Sequence, residues 1–228
     1  YTPFTIDITP YIDRTSNKQT VAVHLQNVEE SSRWYPGAGL YRPVTLITTG
    51  KTALQEWSIQ ANTIKCANNN ATVGFKAEIT GAAKGKDYAI EFVYTNNKGE
   101  RTERLITVVD GVAEFHENIY NITLWTPETP KLYDLQVSLY EVERGAKGKL
   151  VDRQCKKIGF RTVECSADGG FKLNGLSRKF KGVCLHHDLG MLGAAVNKSA
   201  LIRQIELLKS MGCDAIRTAH NLPSQMQM

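Results

Sequence analysis

Long apolar runs and blocks of positive charge are both missing from this sequence. The longest apolar stretch, "YAIEFVY" at 88–94, is far shorter than the ~20 residues that span a bilayer, so we expect no membrane span. Lysine and arginine number 28 against 23 acidic residues, a net charge of +5, but they form no block longer than pairs such as Lys156-Lys157. A nucleic-acid groove needs clustered cations, so we expect no nucleic-acid partner.

Closely spaced cysteines are absent as well. The five cysteines are odd in number and contain no C-x-x-C spacing, which favours neither a disulfide framework nor a zinc ribbon. We therefore predict buried free thiols at Cys66, Cys155, Cys165, Cys184 and Cys213.

The chain also lacks an initiator methionine and a signal-peptide pattern. It opens at "YTPFTIDITPYI", a strand-like segment that begins in mid-pattern, and this favours a processed or excised piece of a longer protein. The compartment stays open between the bacterial periplasm or exterior and the cytoplasm.

What is present begins with the alternation typical of β-strands. In residues 1–49, Phe4, Ile6 and Ile8 alternate with polar neighbours, and two more strand patterns follow at "VAVHL" and "YRPVTLITT". Three strands do not close a domain by themselves.

A loop rich in aromatic residues, glycine and arginine, "SSRWYPGAGLYR" at 31–42, separates the last two of these strands. Trp34 could stack on the face of a sugar while Arg33 binds its hydroxyls. The alternative is that the aromatic side chains plug the end of a sandwich.

Residues 50–163 carry about seven strand patterns at short spacing and no helical periodicity. Turn signals such as "ANNNA", "NNKG" and "RGAKG" separate them. The pattern predicts a seven-strand, immunoglobulin-like β-sandwich. The predicted strands lie near 53–60, 72–79, 88–95, 102–109, 112–118, 134–142 and 150–158.

The pattern changes in residues 164–228. A hairpin is predicted around Asn174-Gly175, and its second arm runs into the apolar strand "KGVCL". Asn197 can then cap a helix that ends near Gly212, and the strand "CDAIRT" follows. A strand–helix–strand unit implies parallel strands, so we expect this segment to begin a larger parallel α/β domain.

Polar side chains follow both of these parallel strands. His186, His187 and Asp188 come after the first strand and His220 after the second. Ligands bind outside the carboxyl ends of such strands, so we predict a ligand site there. Two alternatives stay open: hydrogen bonds from the histidines to loop carbonyls, and a zinc site that uses His186, His187 and His220.

Two further residues of these strands need an explanation. A buried Arg217 would need a carboxylate partner, because an unpaired buried charge costs several kcal/mol. Cys184 lies two residues from His186, but nothing in the sequence lowers the pKa of its thiol, so we predict a structural cysteine rather than a nucleophile.

Several segments together resemble glycoside hydrolase family 2, the family of the β-galactosidases, β-glucuronidases and β-mannosidases, and they occur in the family's order. These segments are "SSRWYPGAGLYR", "LWTPETPKLYDL", "IGFRTVE", "FKLNGLSRKFKGVCLHHD" and "LLKSMGCDAIRTAHN". The resemblance implies the end of a jelly-roll sugar-binding domain in 1–49, an immunoglobulin-like sandwich in 50–163, and the start of a (β/α)8 TIM barrel in 164–228.

The resemblance also implies a retaining glycosidase, of β-galactosidase type, with two catalytic carboxylates about 5 Å apart. The family's two catalytic glutamates have no match here, so we expect them beyond this chain and expect the chain alone to be inactive. The implied partner is a β-glycoside, and the full-length enzyme could form a homo-oligomer. No cofactor is expected in this chain, although a divalent metal in the full-length enzyme stays open. The alternative is a non-catalytic carbohydrate-binding or adhesion protein.

By the same resemblance, His186 and His220 match histidines that bind hydroxyls of the sugar ring. Arg217 matches an arginine that holds an acidic neighbour. We add Asp188 and His187 as candidates for substrate binding, together with the loop residues Arg33 and Trp34.

Overall fold

The computed structural model describes residues 2–30, 39–220, 222–224 and 226–227. The chain divides into two compact units. One unit contains residues 47–179, and the other combines residues 1–46 with residues 180–228. The domain boundaries expected from the sequence, at 49/50 and 163/164, stay predictions.

Eight antiparallel strands form two four-stranded sheets in the unit of residues 47–179. In chain order they are β1 (Ala53–Leu54), β2 (Gln60–Ala67), β3 (Asn70–Thr80), β4 (Tyr88–Thr95), β5 (Arg101–Thr107), β6 (Val112–Ile119), β7 (Tyr133–Glu143) and β8 (Ala146–Ile158). In the first sheet β3 is central, pairing with β1 and β2 on one side and with β6 on the other. The second sheet has the order β5-β4-β7-β8.

The two sheets enclose one hydrophobic core, as the sequence predicts for a β-sandwich. Every second residue of β3 is buried, which is the alternation of a strand with one face inward. Phe75 of β3 and Phe92 of β4 lie with their ring centroids 6.0 Å apart, so side chains from both sheets meet. Burying a Phe side chain contributes roughly 1.5–3 kcal/mol.

Three of the predicted turns form tight hairpins. In each of three hairpins, two consecutive turn residues have positive φ: Asn68-Asn69, Arg144-Gly145 and Asn174-Gly175. Two positive φ angles in succession define the type I′ turn, which matches the twist of antiparallel strands. The third hairpin belongs to a separate small sheet of β9 (Val163–Ser166), β10 (Gly170–Leu173) and β11 (Leu176–Ser177).

The single strand predicted near 53–60 is wrong, because this stretch contains a turn. Trp57 has φ 64°, and Ser58 donates its backbone N–H to the Gln55 carbonyl. The chain therefore ends β1 at Leu54 and starts β2 at Gln60, which makes eight strands instead of seven.

Asn174 ties three segments of this unit together. Its side-chain amide donates to the Trp125 carbonyl at 3.1 Å, and its side-chain oxygen accepts from the Thr162 backbone N–H at 3.0 Å. The Arg161 guanidinium lies 4.5 Å from the centre of the Trp125 ring. The segments "LWTPETP", "IGFRT" and "LNG" of the family resemblance therefore meet at one structural junction.

The strands predicted in residues 1–49 are not formed in the described part of that region, which contains one short 3-10 turn at Thr9–Tyr11. A strand exists only through hydrogen bonds to a neighbouring strand, and these segments have no such neighbour among the described residues. Their apolar side chains are correspondingly exposed, with Phe4 at 81% and Val21 at 69%.

The strand–helix–strand unit of the sequence analysis is confirmed. Strand β12 (Gly182–Leu185) pairs in parallel with β13 (Ala215–Thr218), and helix α1 (Lys198–Ser210) connects them. The Asn197 side chain caps α1 by accepting from the Ala200 N–H at 3.0 Å. The described residues thus form a mainly β structure with several antiparallel sheets and one α-helix.

We predict that Asn174 supports the larger unit through its side-chain hydrogen bonds. Asn174→Gly keeps the left-handed backbone but removes those bonds, which should lower the free energy of unfolding by about 1–3 kcal/mol. Asn174→Ala should cost about 1–2 kcal/mol more, because alanine is strained at φ 52°. Urea denaturation measures both values, and a glycine variant as stable as the parent chain would contradict the prediction.

A second prediction concerns acid stability. Arg178 binds Glu128 through two hydrogen bonds, of 2.5 and 3.1 Å, and lowers the pKa of that carboxyl from 4.5 to about 2. A lowered folded-state pKa gives stability that is present above pH 4.5 and is lost as the pH falls towards 2. Glu128→Gln should flatten this part of a urea stability profile, and Arg178→Gln should do the same. An unchanged acid slope in both variants would exclude this pair as a contributor.

Candidate functional site

The two strand ends bring His186 and His220 together. Strands β12 and β13 pair from Gly182 with Ala215 to Leu185 with Thr218, and the Ala219 N–H continues the ladder to the Leu185 carbonyl at 2.9 Å. The imidazole rings of His186 and His220 follow this ladder, with centroids 5.1 Å apart and planes inclined by 57°. Parallel strands end at the same edge of a sheet, so two histidines 34 positions apart in the sequence lie side by side here.

The close approach of the two strands depends on Gly182. A Cβ atom at this position would lie 2.5 Å from the Ala215 carbonyl oxygen, a contact that real side chains do not make. Asp214 adds a clamp at the same end, since it accepts from the Lys181 N–H through its carboxylate at 2.7 Å and donates its own N–H to the Lys181 carbonyl at 2.8 Å. The sequence analysis missed both residues, although a glycine in an apolar strand signals a close backbone approach.

The backbone leaves strand geometry at both histidine segments. His187 has φ 58° and His220 has φ 71°, values that few residues other than glycine adopt. Adjacent side chains of a regular strand point to opposite faces, so His186 and His187 can share a site only if the chain leaves strand geometry between them. The left-handed backbone of His187 is such a change. Strained backbone of this kind often occurs at ligand sites.

Asp188, a candidate for substrate binding, also makes hydrogen bonds within its own loop and to helix α1. Its carboxylate accepts a hydrogen bond from the Gly190 N–H at 2.7 Å, and its main-chain carbonyl accepts from the Gln204 side chain at 3.3 Å. Asp188 is exposed, so the rest of the carboxylate stays accessible. The residue holds the turn after His187 in either case.

Arg217 is exposed rather than buried, which corrects the premise of the sequence analysis. Ile216, its neighbour on β13, is also exposed, at 37%, so both residues of this strand reach the surface among the described residues. The guanidinium NH1 lies 3.9 Å from the Cys184 thiol, and no ion pair to Arg217 occurs in the described part of the chain. Cys184 is itself exposed, as are Cys155 and Cys165, so the prediction of buried thiols is wrong for these three.

The loop candidates and the metal alternative remain to be placed on the structure. Arg33 and Trp34 lie outside the described residues. Within the residues that the structure describes, no group of three or more His, Cys, Asp or Glu side chains is close enough to hold a metal ion. Those residues also contain no helix that is long and apolar enough to cross a membrane.

Comparison with known proteins agrees with the segments that carry the resemblance. The chain is 34% identical to the β-galactosidase BoGH2A of Bacteroides ovatus, across 98% of this chain and 27% of that protein. It is 33% identical to a β-glycosidase of known structure from Bacteroides vulgatus, with a TM-score of 0.72, across 86% of this chain and 24% of that one. It shares the fold of a Bacteroides uniformis β-glucuronidase, with a TM-score of 0.73 at 23% identity, across 97% of this chain and 28% of that one.

The chain therefore spans about a quarter of the length of these relatives. The sequence profile of glycosyl hydrolases family 2 matches residues 43–161, slightly more than half of the chain. This match confirms the expectation from the sequence: the chain belongs to glycosyl hydrolases family 2.

Proposed function

We propose that this chain is part of a retaining β-glycosidase of β-galactosidase type, in which His186 and His220 bind hydroxyl groups of the sugar. The observation that carries the proposal is the pair of imidazole rings 5.1 Å apart at the carboxyl ends of two parallel strands, in a chain of this family. The β-galactosidase from B. ovatus supports the choice of a galactoside. The reaction would be a two-carboxylate double displacement, with both catalytic glutamates outside these residues.

The proposed domain layout follows from the family. Residues 1–49 would complete a jelly-roll domain, residues 50–163 would be the immunoglobulin-like sandwich, and residues 164–228 would start the TIM barrel. The exposed apolar side chains of residues 1–46 and of the β12–β13 pair would pack against further segments of the longer protein in this layout. In this layout the histidine pair lies at the barrel face that carries active sites.

The two histidines would act on binding and on rate together. An imidazole can donate one hydrogen bond and accept another, so a pair of rings can bind neighbouring hydroxyls of one sugar. Hydrogen bonds to ring hydroxyls that strengthen as the sugar approaches its oxocarbenium-like transition state supply several kcal/mol to catalysis. Arg217 would orient an acidic group by an ion pair, because its guanidinium has donors left after the contact with Cys184.

We predict that His220→Ala in the full-length enzyme lowers kcat/KM for a nitrophenyl β-galactoside by tenfold or more, or about 1.4 kcal/mol. His116→Ala is the matched control, because His116 is an exposed histidine of the sandwich strand β6 and should leave the rate unchanged. Equal rates for His220→Ala and the unsubstituted enzyme would exclude the binding role.

The 228-residue chain alone serves as the second arm of this experiment. We expect it to bind the sugar weakly and to hydrolyse nothing, since the proposal puts both catalytic carboxylates elsewhere. Hydrolysis by the chain alone, abolished by His220→Ala, would overturn that part of the proposal. A full-length protein that binds galactosides but never turns them over would favour the non-catalytic alternative.

A further inference from the structure

A short segment far away in the sequence bridges the two loops that carry the histidines. The Val196 N–H, at the end of the loop after β12, donates to the Tyr41 carbonyl at 2.9 Å. The guanidinium of the next residue, Arg42, donates through NH2 to the Leu222 carbonyl, two residues beyond His220. All of these residues belong to the same compact unit.

The side chain of Arg42 lies against the residue that precedes it. It is half-buried, and its guanidinium carbon lies 5.2 Å from the centre of the Tyr41 ring. Val196, which anchors Tyr41, directly precedes Asn197, the residue that caps α1. The donor that reaches Leu222 therefore extends from a segment fixed to the start of the helix.

The backbone of His220 needs such an anchor. A left-handed residue other than glycine is strained and persists only where the surrounding structure holds it. On the amino-terminal side of His220, the hydrogen bond from Ala219 to Leu185 fixes the chain. On the carboxyl-terminal side, Arg42 donates to the Leu222 carbonyl, two residues beyond His220.

We propose that Arg42 is a positioning residue that holds the His220 loop in its left-handed conformation and so keeps the His220 ring against His186. Its use in catalysis rests on the sugar-binding role proposed above for these two histidines. Arg42 does not touch the reacting atoms in this account. It binds the Leu222 carbonyl and thereby fixes the path of the chain after β13.

The test uses the 228-residue chain with isotope-labelled histidine, so that NMR detects the through-space cross-peak between the two imidazole rings. Arg42→Ala removes the donor to Leu222. Arg42→Lys keeps a positive charge and one donor group but loses the planar fork of arginine. Arg203→Ala is the matched control, because Arg203 is an exposed arginine of α1 in the same unit. Urea denaturation of each variant records its overall stability.

We expect Arg42→Ala to lose the cross-peak and to shift the amide signals around His220, while Arg203→Ala leaves both unchanged. Arg42→Lys should retain a weaker cross-peak. This variant replaces Arg42→Ala in the test if the alanine variant does not fold. A purely structural role would lower stability without a selective change at His220. A cross-peak of full intensity in Arg42→Ala or, should that variant not fold, in Arg42→Lys would overturn the proposal.

A titration of the unsubstituted chain with methyl β-galactoside separates this proposal from the proposed function. If the sugar shifts no signal of His186 or His220, the proposed sugar-binding role is wrong. The role of Arg42 is then still tested by the cross-peak between the two rings. If the sugar shifts both signals in the unsubstituted chain and neither in Arg42→Ala, both proposals are supported.

Discussion

The close parallel approach of β12 and β13 is the constraint on which the candidate site depends. Gly182 permits it, since any side chain there would collide with the Ala215 carbonyl, and the ladder runs without interruption to the bond from Ala219 to Leu185. Because the register is fixed, His186 and His220 emerge at the same edge. A slip of one residue would turn alternate side chains to the opposite face and separate the rings.

The two units differ in how they are stabilised. Residues 47–179 have a continuous core of aromatic and branched side chains contributed by both sheets. In the other unit, few described side chains are buried, among them Leu201 and Ala219, and many large apolar ones are exposed. Its order therefore depends more on individual hydrogen bonds, such as those made by Asp214, Tyr41 and Arg42. Single substitutions at such bonds have correspondingly local effects on the site.

Features set by neighbouring residues could be predicted from the sequence. The Asn174-Gly175 turn and the helix capped by Asn197 are local, and the pairing of two strand ends follows from any strand–helix–strand unit. Strands in residues 1–49 could not be predicted reliably, because a strand requires a partner as well as an alternating pattern. Arg217 is exposed, and the burial of a strand residue depends on distant segments that pack on it, which a local pattern does not specify. The contact between Arg42 and Leu222 joins residues 180 positions apart, which no local pattern reveals.

The most direct test of this account is a crystal structure of the chain with a bound galactoside. The account predicts sugar hydroxyls within hydrogen-bond distance, about 2.7–3.2 Å, of ring nitrogens of both His186 and His220. It also predicts that the two rings stay in contact beyond the paired ends of β12 and β13. A sugar bound elsewhere, or two histidine rings that lie apart in the crystal, would contradict it.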